Sequence, residues 1–374
     1  MGTSARSRQP LHADPTEGAL DPRPSPRSRI RGIDMARALA IFGMVTVHVG
    51  GFRTDVQTVS GWLYELPHGR ASLLFIMLAG IGVSLLAGDR SPQRLIRLRK
   101  NLVTRALLLA PLGLALQLLG TRVAIILQYY AVFFLVALAL VRLRDRALLT
   151  FALAWSLVGP VLYLAIVIRR PEWFAAAGQP GLDQPVALAR AVLLTGFYPA
   201  LVWAAPLAWG MWLGRRDLRG ATTRWRMLVT GAVVAAGAYL LAWGLTRLIG
   251  VSPQAAAPSW GLLATAEPHS EMPLWVIGGT GAATALLAGC LWVCDRLPRL
   301  TSPLVVTGQL ALSVYVGHLF VLAAAPGLTG RTLAAAVSST ALISVGAIAV
   351  ATAWRALLPR GPLEWALRLP VRSG

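Results

Sequence analysis

The chain reads as an all-α, polytopic integral membrane protein with about ten transmembrane helices in one bundle. Three observations carry that reading. Of the 374 residues 56% are hydrophobic and only 13% charged, about half the charge expected of a soluble domain. The mean hydropathy is +0.63. The apolar residues also fall in continuous stretches of about 18–23 residues, the length needed to cross a bilayer as a helix.

The stretches lie near 33–51, 71–88, 103–120, 123–141, 147–168, 191–213, 227–249, 273–294, 303–325 and 333–354. The first carries Asp34, Arg37 and His48 within apolar sequence, and the second opens after Arg70. Only Gly120, Thr121 and Arg122 part the third from the fourth. The fifth and seventh follow the basic runs RLRDR and RRDLRGATTRWR. The eighth begins at Pro273 and contains GGTGAATALLAG, a glycine pattern that lets helices approach closely. The ninth holds Gln309, Ser313, Tyr315 and His318, with Gln309 and Ser313 spaced to join helices by hydrogen bonds. Residues 1–30, rich in Arg, Pro and Ser, read as a disordered basic cytoplasmic tail, and 359–374 as a second short cytoplasmic tail. The transmembrane domain is thus 31–358, with no soluble domain long enough to fold alone. Residues 1–30 lack the pattern of a cleaved signal peptide. Cys290 and Cys294 read as small buried residues.

The net charge of +20 is placed by topology. Ten spans with both termini inside put about three quarters of the 35 Lys and Arg residues on the cytoplasmic side. That bias belongs in a plasma membrane with anionic headgroups. No basic patch with interleaved aromatics offers itself to nucleic acid.

Arg37 and His48 are eleven positions apart, roughly 20° past three full helical turns and about 16 Å along the axis. Asp34 falls about 60° to one side. Such a stripe in a lipid-embedded helix is costly unless it faces a polar interior or pairs internally. Of the five histidines, His12 is in the first tail, whereas His48, His68, His269 and His318 all fall at or near outer ends of spans. Imidazole is the commonest general base for a hydroxyl or amine, so converging histidines beneath outer loops fit acyl transfer. Glu65, Glu267 and Glu271 are placed to orient or polarise His68 and His269, and charge from Glu267 and Glu271 would hold His269 as imidazolium. Arg70 serves either as a headgroup anchor or toward the acceptor. Gln117, Gln128, Tyr129 and Tyr130 are candidates to line a cavity. Nucleophile elbow, zinc-ligand pair and phosphate loop are absent, so a metal is not expected.

The segment RGIDMARALAIFGMVTVH resembles the first helix of the membrane acyltransferase superfamily, marked by an Arg and a His with ten residues between them, here Arg37 and His48. LPHGRASLLFIMLAGIGVSLL is similar to the second-helix region of bacterial relatives of heparan-α-glucosaminide N-acetyltransferase, and PHSEMPLWVIGGTGAA and TGQLALSVYVGH to their C-terminal regions. The resemblance implies an acyl-CoA donor, such as acetyl-CoA, reached from the cytoplasm, an extracytoplasmic sugar or lipid-linked acceptor, and a catalytic loop histidine matched by His68. In the lysosomal enzyme a Trp-Asn-Gly-rich sequence follows that histidine, whereas here Gly-Arg-Ala-Ser does.

The expected function is therefore an acyl-CoA-dependent membrane acyltransferase, an acetyltransferase by resemblance. Arg37 and Asp34 would meet the donor, His48, His68 and Glu65 would carry the catalysis, and His269, Glu271, Arg70 and His318 would hold the acceptor. The alternative is a transporter or exporter using the same stripe as a proton or substrate path. Cysteine-accessibility mapping on a cysteine-free background should label residue 95 from the same side as the termini, and labelling from the opposite side would overturn the orientation.

Overall fold

A computed structural model describes residues 2, 29–51, 58–121, 123–174, 180–251, 258–330 and 332–367. Most of the expected tail 1–30, and residues 368–374 of the second one, lie outside the described residues. Every regular element among the described residues is helical. In chain order they are α1 (Arg31–Gly50), α2 (Val59–Glu65), α3 (Arg70–Ala87), α4 (Pro92–Gln117), α5 (Leu127–Leu140), α6 (Asp145–Arg169), α7 (Pro185–Arg190), α8 (Ala200–Leu213), α9 (Ala221–Ile249), α10 (Pro273–Arg296), α11 (Ser302–Gln309), α12 (Ala311–Ala324), α13 (Leu333–Leu357) and α14 (Pro362–Ala366).

The number of spans departs from ten. Among the described residues six helices are long and apolar enough to cross a membrane, or up to eight when each of two bent pairs counts as one span. The third and fourth expected spans are the ones that fail. α4 carries Arg94, Arg97, Arg99 and Lys100 in its first half and Arg105 just beyond it, so its apolar part is short. α5 has 14 residues, about 21 Å of helix against a hydrocarbon core of about 30 Å. The two bent spans are α7 with its continuation to Thr195 against α8, at 53°, and α11 against α12, at 84°. The second break separates Gln309 from Ser313, which therefore do not share a helix face. Gln309 Oε1 accepts from Arg355 Nε at 3.4 Å, and Ser313 turns to α14.

Proline opens α4, α7, α10, α11 and α14, where its missing N–H costs nothing. Thr58 and Thr332 cap α2 and α13 through their hydroxyls. α1 is the axle, packed by α3, α10, α11, α12 and α13. Around it α3 pairs with α8, α4 with α5, α6 with α8 and α9 with α10, while α6, α9 and α13 bury only a small part of their length. Within the segment expected as a second tail, α14 packs on α12.

Close approach is made by small residues. Gly281 of α10 faces the Gly231 carbonyl of α9, as its glycine pattern predicts, and a Cβ there would stand 2.8 Å from that oxygen. Gly80 of α3 and Gly210 of α8 face each other's backbone at Leu207 and Met77. The connections 88–91, 141–145 and 214–217 meet at one end, where Asp145 accepts from Arg215 at 2.9 Å and from Arg216, with Arg90 at 3.8 Å. Cys290 and Cys294 are buried.

These contacts set a graded stability test. Gly210→Val forces a side chain into the α3 backbone and should cost about 1–3 kcal/mol or more. Gly237→Ala on α9, with nothing within 4 Å of the new Cβ, should be neutral or stabilising by up to about 1 kcal/mol. Thermal unfolding in detergent ranks the two, and an unchanged Tm for Gly210→Val would refute the backbone contact.

Candidate active site

Two polar centres sit at opposite ends of α1. In its first turn the buried Asp34 carboxylate accepts from Arg37 Nη1 at 2.8 Å. A carboxylate taken out of water needs such a partner. Arg37 stays about a quarter exposed, its side chain at 27%, and lies beside Gly82 of α3, where a Cβ would come within 3.7 Å of Nη2. α11 comes against the Asp34 carbonyl through Gly308, which has no side chain to obstruct it.

At the other end, His48 in the last turn of α1 meets His318 of α12. His48 Nδ1 and His318 Nε2 are 3.0 Å apart, with the rings 9° from parallel at 5.3 Å. One nitrogen must donate and the other accept, so a single proton lies between them. Tyr315, one turn earlier on α12, stands edge-on to His318 at 5.1 Å, and its hydroxyl accepts from the Ile126 N–H at 3.2 Å. Tyr315 and His318 thus pack together on α12, and His318 also has a partner from α1 that sequence does not reveal.

His68 is fully buried in the turn before α3. Its Nδ1 contacts Glu65 Oε2 at 3.0 Å and its Nε2 donates to the Gly51 carbonyl at 2.9 Å. The turn closes through Gly69 at φ 70°, a left-handed conformation that glycine adopts without strain. Both ring nitrogens thus face acceptor oxygens, one from a side chain and one from the backbone. Arg70 turns away from the histidines. Its Nε donates to Tyr239 Oη at 2.9 Å, its Nη1 to the Leu66 carbonyl, and its guanidinium lies 4.6 Å over the Tyr239 ring, tying α3 to α9.

The loop before α10 completes the centre. His269 and Glu271 both hold positive φ, 56° and 63°, a conformation that costs a non-glycine residue about 1–2 kcal/mol. The His269 ring is boxed by Phe197, Tyr198, Trp203 and Trp275, with centroids 4.2, 5.7, 5.9 and 5.5 Å away. The expectation that carboxylates hold His269 as imidazolium is overturned. Glu267 is exposed, and burial drives His269 down to about 3, with His68 nearby adding to the fall and the Phe197 carbonyl, accepting a ring N–H, opposing it. Burial also pushes the Glu271 carboxyl well above its ordinary value, against the pull of the adjacent Trp203 side chain. Desolvation outweighs the 4.0 Å contact between the two side chains and drives each toward its neutral form.

His269 and Glu271 line a cavity of about 390 Å³ with Tyr129, Tyr163, Trp173, Phe197 and Arg190 among its walls. Of the four histidines only His269 is among the residues lining it. His48 lies within electrostatic reach of His318, His68 and His269, so residues drawn from four separate stretches share one end of the bundle. Gln128 is buried, Tyr129 reaches the cavity, and Tyr130 donates to the Phe75 carbonyl at 2.7 Å. The aromatic box escaped sequence reasoning, although Trp203 and Trp275 stand within a few residues of span starts and the chain has 13 Trp. Among the described residues no group of three or more His, Cys, Asp or Glu is arranged to hold a metal ion.

Fold and site together define a multi-pass membrane protein with a histidine-rich polar centre at one end of its helix bundle. Two sequence families match it: heparan-alpha-glucosaminide N-acetyltransferase, catalytic, over residues 29–246, and a protein of unknown function, DUF418, over residues 215–372. The first match spans more than half of the chain, which therefore belongs to the heparan-alpha-glucosaminide N-acetyltransferase catalytic family. A comparison with curated proteins finds no match.

The two buried groups give opposite pH signatures. His269, depressed to about 3 from an unfolded value near 6.5, contributes stability that is complete above pH 6.5 and is lost as pH falls toward 3. Glu271, raised above its unfolded value of about 4.5, costs stability as pH rises from 4.5 through its folded value. Between pH 5 and 6.5 the two slopes oppose each other, each at most about 1.4 kcal/mol per pH unit. In Glu271→Gln, Tm should drop on acidification; in His269→Asn, it should rise. Parallel slopes in the two variants would refute the burial of one or both.

Proposed function

We propose that the protein is an acyltransferase that moves an acetyl or short acyl group from cytoplasmic acyl-CoA to a hydroxyl or amine on an extracytoplasmic acceptor. The observation that carries this is the gathering of His48, His68, His269 and His318 at one end of α1 while the Arg37–Asp34 pair occupies the other, in a chain of an N-acetyltransferase family. Arg37, oriented by Asp34, meets the anionic donor. About 16 Å of helix separates it from His48, a distance the donor's extended acyl-bearing arm would span inside the bundle. The proposed setting is the plasma membrane, with both termini cytoplasmic.

At the histidine end, the base takes the acceptor proton as the acceptor attacks the thioester carbonyl. The carbon–sulfur bond then breaks and the proton passes to the leaving thiolate. His68 is the proposed base, oriented by Glu65 as a triad base is by its third member. Once the acceptor displaces the Gly51 carbonyl, the tautomer that carries its proton on Nδ1, toward Glu65, leaves Nε2 with the lone pair that takes the acceptor proton. The His48–His318 pair relays or polarises beside it. The cavity bounded by His269 and Glu271 takes the acceptor, whose apolar faces suit the Tyr129, Tyr163 and Trp173 walls. The family's description supports an amino sugar as that acceptor. Arg70, turned to Tyr239, ties α3 to α9.

A second assignment is favoured by one observation: His269, neutral and in contact with the cavity, has the lone pair a base needs. Kinetics separate the two. His68→Ala should lower kcat about 100-fold or more, and His269→Ala should mainly raise KM for the acceptor. The reverse outcome assigns the base to His269. Arg37→Ala and His48→Ala should each abolish turnover at near-normal expression, and Arg37→Lys should rescue poorly because a guanidinium grips phosphate bidentately. Inside-out vesicles given labelled acetyl-CoA supply the overall test. Label on an enclosed acceptor is expected, whereas gradient-driven substrate movement without acyl transfer would replace this reading with a transporter.

A further inference from the structure

The 84° break between α11 and α12 exposes a need that the local sequence does not meet. After a break, the first N–H groups of a helix have no acceptor within it, and in an apolar surrounding they must be satisfied by the protein. The residue at the cap position is Leu310, at φ −104° and ψ 30°, and it offers no side-chain acceptor. The acceptor comes from α14, some fifty residues on. Glu364 Oε1 accepts from the Leu312 and Ser313 N–H groups at 2.8 and 3.0 Å, and Oε2 accepts from the Ser313 hydroxyl at 2.6 Å. Ser313 Oγ in return accepts from the Leu363 N–H at 3.2 Å. The two segments thus hold each other as the halves of a capping box do, but between distant parts of the chain.

α14 is itself anchored. Trp354 Nε1 donates to the Arg360 carbonyl at 2.8 Å, fixing the turn out of α13, and Leu363 and Leu367 pack on the core. Gly361 lies against Ser313 and Glu364, where a Cβ would stand 2.9 Å from Ser313 Oγ. On the near side of the break Arg355 of α13 bonds Gln309 of α11, so both sides are clamped from the C-terminal segment. Beyond the clamp, α12 carries Tyr315 and His318. The 3.0 Å bond from His318 to His48 depends on the rotation and height of α12, and hydrogen bonds weaken steeply with small errors of geometry. With the helix interrupted at Leu310, the Glu364 cap is what fixes the near end of α12.

We propose that Glu364 is a positioning residue: by capping α12 across the break it sets His318 against His48. The effect on turnover rests on the acyltransferase reading, and the effect on α12 does not. The test compares full-length wild type, Glu364→Ala and Glu364→Gln in lipid nanodiscs, by amide hydrogen exchange and by kinetics with labelled acetyl-CoA. Glu364→Ala should raise exchange across residues 311–318 by about tenfold, the size of one lost cap, and leave α9 and α10 unchanged. It should lower kcat by about the same factor with donor KM held. Glu364→Gln, whose amide oxygen accepts the same N–H groups, should restore both. In a His318→Ala background with measurable turnover, adding Glu364→Ala should cost little further kcat, because residues acting through one another are not additive. Ser313→Ala, which removes only the hydroxyl contacts, should give a smaller version of the exchange effect and serves if Glu364→Ala fails to fold. Unchanged exchange in α12, or an equal kcat loss with and without His318, overturns the proposal. If wild type transfers no acyl group, the acyltransferase reading fails while the exchange measurements still decide the cap.

Discussion

A polar group inside an apolar bundle must find its partner within the protein, and α1 concentrates that requirement. It is packed on several sides by other helices, yet carries a carboxylate, a guanidinium and an imidazole. Asp34 is answered one turn along by Arg37. His48 has to be answered from elsewhere, and the answer is His318, 270 positions away. Much of the architecture follows from delivering that second imidazole. α12 must pass the last turn of α1 at its middle, where His318 lies, and it is set there by a sharp bend at Leu310 and a cap borrowed from α14.

The irregular backbone gathers near the polar centre for the same reason. Helix breaks and unwound turns are tolerated at membrane depth only where protein groups satisfy the freed N–H and C=O groups. Tyr315 answers the Ile126 N–H before α5, Tyr129 answers the Phe197 N–H before α8, and Glu364 answers the start of α12. Each of these polar side chains also borders the histidine cluster, the cavity or the helix that carries His318. The left-handed His269 and Glu271 add strain to the same end, held by the aromatic box around them. Strain of this kind persists where packing over-determines it, which is characteristic of sites prepared for a ligand.

Electrostatics at this end is governed by burial more than by neighbouring charge. Sequence proximity of Glu267 and Glu271 to His269 argues for an imidazolium. The fold instead exposes one carboxylate and buries the other, so that burial lowers the His269 pKa and raises that of Glu271.

What the sequence determined by itself was whatever depends on local composition and helical period: the all-helical membrane class, the shared stripe of Asp34, Arg37 and His48, the glycines that bring α9 and α10 together, and the placement of four histidines toward one end. These are legible because a single helix fixes its own faces and a bilayer fixes its own length. Tertiary structure decided the rest. It reduced ten expected spans to six or eight, since basic residues shorten the apolar part of α4 and an unwound start shortens α5. It paired His48 with His318, closed His68 between Glu65 and Gly51, turned Arg70 to Tyr239, and set Glu364 over the start of α12. Those partners lie far apart in the chain or depend on how deeply a loop is buried, and neither property is carried by the spacing of residues along one helix.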